Sequence, residues 1–106
     1  MRHAIWLLFD FGVDGDYEGI YYWLDTQKAI ECGTSFAFFR FEHQGDVLTD
    51  LEEGLRQGVK LRPKDRIYVV YPAADGRFKG RFLFGTRKRA AWEGSAGGVA
   101  SSVDES

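Results

Sequence analysis

Two stretches of this chain carry apolar side chains on both faces of a strand, and that constrains the fold more than any other feature. His3–Phe11 holds Ile5, Trp6, Leu7, Leu8 and Phe9 at its centre, a continuous apolar run of strand length. Thr34–Phe41 places Phe36 and Phe38 on one side and Ala37, Phe39 and Phe41 on the other, since successive strand side chains point to opposite faces. A strand of this kind needs cover on both sides.

Helical patterns follow each run. Asp14 or Asp16 can cap a helix that runs to about Cys32, with Gly33 as its stop, because a carboxylate accepts from free first-turn amides and glycine tolerates the left-handed end. Ile20, Trp23, Leu24, Gln27 and Ile30 recur at spacings of three or four, giving one apolar side. After the break at Gln44-Gly45-Asp46, Asp46 caps a second helix with a stripe of Leu48, Leu51 and Leu55, ending near Gly58. Arg66–Tyr71 is β-branched and aromatic, so it reads as a strand. Asp75-Gly76 is a hairpin signal, and Phe78–Gly85 is the partner strand, with Phe78, Phe82 and Phe84 expected on one face and Lys79, Arg81 and Leu83 on the other. From Gly94 the chain is Gly, Ala and Ser with terminal acids, too poor in apolar surface to order itself. The expectation is one α+β domain over residues 1–90 and a disordered small-residue tail over 91–106, since 106 residues suffice for a single core.

Charge is distributed unevenly. Residues 1–55 hold eleven acids against three bases, a balance of −8, whereas residues 56–89 hold eleven bases against Asp65 and Asp75, a balance of +9. The last seventeen residues contribute −3, and the whole chain carries −2. Such polarity points to an anionic partner or to self-association between opposite faces. Arg77, Lys79, Arg81, Arg87, Lys88 and Arg89 are the candidate nucleic-acid contacts, because cations in a row can track a phosphate backbone. Protection of an edge strand by Lys and Arg is the competing account.

Asp10, Asp14, Asp16 and Glu18 form an acidic, glycine-bearing loop after the first strand. Hard oxygen ligands suit Mg²⁺ or Ca²⁺. An EF-hand is excluded by Gly12 at the third position and Tyr21 at the twelfth, where an acid is required. Helix capping and turn formation explain the same acids. His3 and His43 lack metal-ligand spacing, and no nucleophile triad is visible. Trp6 and Trp23 are expected in the core. Cys32 is the single cysteine, so no intrachain disulfide forms, which suits a reducing cytoplasm. No apolar run approaches the roughly 18 residues of a membrane span, and Asp10 interrupts the apolar start where a signal peptide would continue.

A strand ending in Phe9-Asp10, an acidic glycine-bearing loop, an aromatic second strand, a leucine-striped helix and the segment Asp65–Pro72 followed by a basic strand together resemble the small CRISPR-associated nuclease family that partners the spacer integrase. They are also similar to its virulence-associated and toxin–antitoxin ribonuclease relatives. The resemblance covers about residues 4–90. It implies a ferredoxin-like βαββαβ sandwich with an extra C-terminal strand, for which one further short strand is expected near Arg40–His43. It also implies a homodimer, with Asp10 as catalytic residue and ligand of Mg²⁺ and RNA or DNA as partner. The leading expectation is therefore a dimeric nucleic-acid-binding protein of metal-dependent endonuclease type. A non-catalytic protein–protein adaptor of antitoxin type is the alternative, and a small-molecule sensor with an apolar pocket near Tyr17 and Tyr21 is a third reading.

Overall fold

The computed structural model describes residues 1–97. Its elements are β1 (Arg2–Asp10), α1 (Tyr17–Thr26), β2 (Ile30–Gly33), β3 (Phe36–Glu42), α2 (Val47–Gly58), β4 (Arg66–Pro72) and β5 (Phe78–Phe84). The strands form one sheet in the order β2-β3-β1-β4-β5, and every neighbouring pair is antiparallel. The protein is thus α+β, with a five-stranded antiparallel sheet and two helices, an arrangement compatible with a ferredoxin-like fold.

Both helices start where the sequence places a cap. Asp16 accepts from the Gly19 amide at 2.9 Å, and Asp46 accepts from the Thr49 amide and hydroxyl at 3.0 Å each. The end of α1 differs from expectation. The helix stops at Thr26 rather than near Cys32, because Lys28 adopts the left-handed conformation, φ 56°. The Ala29 amide donates back to Leu24 at 3.1 Å and the Lys28 amide to Asp25 at 2.9 Å. This is the Schellman pattern, with lysine at the position that glycine usually fills. The chain reverses there, and the residues expected to finish the helix form β2. The short extra strand is therefore β2, and β3 runs on unbroken through Glu42, so no separate strand lies at Arg40–His43.

The helices cover one face of the sheet. Ile5, Leu7, Phe9, Ala37, Phe39, Phe41, Ile67 and Val69 from the strands pack with Ile20, Trp23, Leu24, Leu51, Leu55 and Val59 in a single buried cluster. Trp23 meets Phe39 edge-on at 5.4 Å between ring centroids, a favourable aromatic geometry. Trp23 is in the core as expected. Trp6 is not: it lies half-buried on the opposite face, because Trp6 alternates with the buried Ile5 and Leu7. Asp65, fully buried, accepts from the Arg62 amide at 2.8 Å and pairs with its guanidinium at 3.0 Å, which closes the turn into β4. That contact raises the Arg62 pKa above its usual value.

The register of β5 also departs from the simple alternation. A shift between Ile67 and Tyr68 brings Phe84 opposite the buried Ile67, while Phe82 and Phe78 face Tyr68 and Pro72. Phe84 therefore turns to the helix side, where the Arg56 guanidinium sits 4.9 Å from its ring. Beyond β5, turns occupy Ala91–Ala96, and the remainder of the segment expected to be a disordered tail, from 98 onward, lies outside the described residues. Among the described residues, no helix is long and apolar enough to cross a membrane.

Candidate nucleic-acid interface

The face of the sheet without helices is built from the alternate residues of the same strands. Trp6 lies opposite Phe38 and Val70, Leu8 opposite Phe36 and Tyr68, and Tyr68 opposite Phe82. Cross-strand neighbours on one face come within van der Waals reach. Trp6 and Phe38 accordingly pair at 4.9 Å and Tyr68 and Phe82 at 5.0 Å, while Trp6 reaches across β4 to Phe78 at 5.6 Å. Two guanidinium groups lie among the rings: Arg40 is 5.4 Å from the Phe38 centroid, and Arg66 is 5.4 Å from that of Phe82. Leu8, Ile30 and Phe78 remain 42%, 61% and 56% exposed, so this is an open apolar surface interrupted by cations.

Asp10 ends β1 on this open face, in register with Arg66. Its carboxylate is engaged by the Arg66 guanidinium in an ion pair. Asp14 is exposed in the following loop, and Asp16 is turned away to the α1 terminus. There Asp16 accepts from the Lys60 amide at 2.8 Å, tying α1 to the end of α2. The amides of Lys60 first, and of Gly19, hold its pKa below the usual aspartate value. Asp10, Asp14 and Asp16 are therefore not gathered into one ligand set, and among the described residues no group of three or more His, Cys, Asp or Glu side chains could hold a metal ion.

His3 and His43, far apart in sequence, are brought together, with Nδ1 of His3 2.5 Å from Nε2 of His43. The other His43 ring nitrogen lies 2.9 Å from the Gly45 carbonyl oxygen. Donation from Nδ1 to that carbonyl leaves Nε2 to accept from His3. Hydrogen bonds thus engage three of the four ring nitrogens of this part-buried pair.

All six cations singled out in the sequence are exposed, from Arg77 just before β5, along the strand and into the segment that follows. They are not equally free. Lys79 lies 3.7 Å from Asp75, Arg87 lies 3.8 Å from Glu93, and Arg89 donates to the Glu93 carbonyl at 3.1 Å. Arg81 faces α2 and shares a groove with Asp46 and Glu52. Arg77 and Lys88 have no ion-pair partner among the described residues.

Two other concave regions matter. A groove of about 210 Å³ is lined by Phe9, Tyr21, Leu24, Asp25, Glu31 and Phe36, among others. Tyr17 stands outside its lining, its hydroxyl 2.9 Å from both the Phe11 and Gly12 carbonyl oxygens. A smaller groove of about 110 Å³ at the β2 edge includes Arg2, Lys28, Ile30, Phe38 and Arg40. Sequence reading did not single out Arg2, Lys28, Phe38 or Arg40 as a site. The usable signal was the alternation in β1 and β3, which puts Trp6, Phe38 and Arg40 on one face.

No family model matches the chain, and comparison with curated proteins and with solved structures finds no match.

Proposed function

We propose that this chain is a nucleic-acid-binding protein that acts as a homodimer on a ferredoxin-like sandwich extended by β5. The observation that carries the reading is the exposure of all six cations from Arg77 to Arg89, on β5 and on the segments flanking it. Such contacts neutralise phosphates and position the partner without reading bases. The dimer is inferred from β5 itself. It is a seven-residue edge strand with Phe78 exposed, and a free edge of that kind invites pairing with a second copy.

Metal-dependent phosphodiester hydrolysis is the finer form of this proposal. Within one chain the donors at Asp10 do not fit Mg²⁺, because a single carboxylate is present and Arg66 already engages it. A hydrolytic role for Asp10 therefore requires a second carboxylate from the other subunit and release from Arg66. A protein-adaptor role is the second reading, supported by the exposed Leu8, Ile30 and Phe78.

Fluorescence anisotropy with labelled duplex DNA near physiological salt separates the two. Nucleic-acid binding predicts measurable affinity that Arg77→Glu with Lys88→Glu weakens equally for all sequences. A folded wild-type dimer that binds no oligonucleotide overturns the nucleic-acid reading and leaves the adaptor.

A further inference from the structure

The acidic first half of the chain has three bases, Arg2, Lys28 and Arg40. All three line the small groove at the β2 edge of the open face, together with Ile30 and Phe38, and no acid is in that lining. Residues far apart in the chain are thus gathered by the β1–β3 pairing and by the turn after α1. Glu42, opposite Arg2 in register, is engaged instead by the N-terminal ammonium at 2.8 Å, and that contact lowers its pKa. None of the three cations has an ion-pair partner among the described residues.

Two features mark the groove as more than a solvated rim. Phe38 is paired with Trp6 at 4.9 Å, and the Arg40 guanidinium lies 5.4 Å from its ring centroid, so an aromatic surface adjoins the positive charge. Lys28 reaches the groove from a left-handed backbone position, which disfavours any residue with a Cβ. Glycine would end the helix with less strain. A lysine there places a cation at a conformational cost.

We infer that this groove binds a nucleotide unit of a single-stranded nucleic acid, with Arg2, Lys28 and Arg40 on the phosphate and Phe38 with Trp6 as the surface on which the base stacks. The inference rests on the nucleic-acid reading above and adds a second, strand-selective site to it. At about 110 Å³ the groove suits a phosphate and its sugar rather than a whole nucleotide, so the base lies out on the neighbouring rings. Bases in a duplex are stacked inside the helix and cannot reach such a platform, whereas single strands offer unstacked π-faces.

The test uses the full-length protein with two labelled probes, a short oligouridine or oligothymidine and a matched DNA duplex. Phe38→Ala and Arg40→Ala should each weaken single-strand binding, the former by about 5- to 150-fold, the range expected for loss of one stacked base. Duplex binding should be unchanged. Lys28→Gly should weaken single-strand binding while raising the melting temperature, a combination that a purely structural role would not give. Uridine and thymidine probes distinguish RNA from DNA. Should both probes bind and all three variants leave the single-strand affinity intact, this site is excluded while the basic strand stands. If neither probe binds the wild type, both readings fall together. If Phe38→Ala instead converts a dimer into a monomer with unchanged affinity, a second copy covers the face and the site is overturned.

Discussion

Asp10 and Arg66 stand opposite each other at the end of the β1–β4 pairing, and their side chains form an ion pair on the open face of the sheet. The pair is partly exposed, with the carboxylate the more open of the two. Its contribution to stability is accordingly small, at most about 1 kcal/mol. If Asp10 is a Mg²⁺ ligand shared between subunits, calorimetric titration of the dimer shows heat that Asp10→Ala abolishes. Heat that survives the substitution, or no heat in the wild-type dimer, rules out that role.

Asp16 connects the start of α1 to the end of α2 through two backbone amides. Because folding lowers its pKa, first through the Lys60 amide and then through that of Gly19, the stabilisation is present above the unfolded value and is lost as pH falls through the folded one. Asp46, lowered by the Thr49 amide and hydroxyl, behaves in the same sense. Thermal melts should therefore show stability declining below about pH 4. Asp16→Ala should lower the melting temperature at neutral pH by several degrees and flatten the acid limb. An acid limb identical to that of the wild type would show that Asp16 contributes nothing.

Gly85 directly follows β5 with φ 80°, and an added Cβ would lie 2.9 Å from the Asp65 carbonyl oxygen and 2.7 Å from Cγ of Arg66. Gly85→Ala combines left-handed strain with a backbone collision. Chemical denaturation should show a loss of about 1–3 kcal/mol or more. A neutral result would mean that the strand end relaxes freely.

Much of the fold was legible because its signals are local. The aromatic alternation of β3, the caps at Asp16 and Asp46, and the Asp75-Gly76 turn each act within a few residues. The end of α1 was not, since the left-handed stop falls on Lys28 and not on the glycine that normally announces it. β2 was hidden for a related reason. Its four residues are mostly exposed, so Ile30, Glu31 and Cys32 carry no burial pattern to read. Site residues suffered from the third dimension. Lys79 and Arg87 lie near acids in the structure, whereas the sparse bases of the acidic half converge on one groove. Counting charge along the chain overstates the first group and conceals the second.

A dimer built through β5 predicts twice the monomer mass by light scattering at micromolar concentration. Replacing Phe78 by Lys on that strand should shift the population toward monomer without unfolding it, since Phe78 is 56% exposed. A monomeric wild type contradicts the dimer.

The measurement closest to the central claim is the salt dependence of duplex binding. If four to six phosphates are neutralised by the cations between Arg77 and Arg89, log K should fall against log salt with a slope of about −4 to −5. Arg77→Glu with Lys88→Glu should flatten that slope and weaken every sequence alike. A flat salt response in the wild type, with binding unaffected by charge reversal, would contradict a phosphate-tracking role for the basic strand.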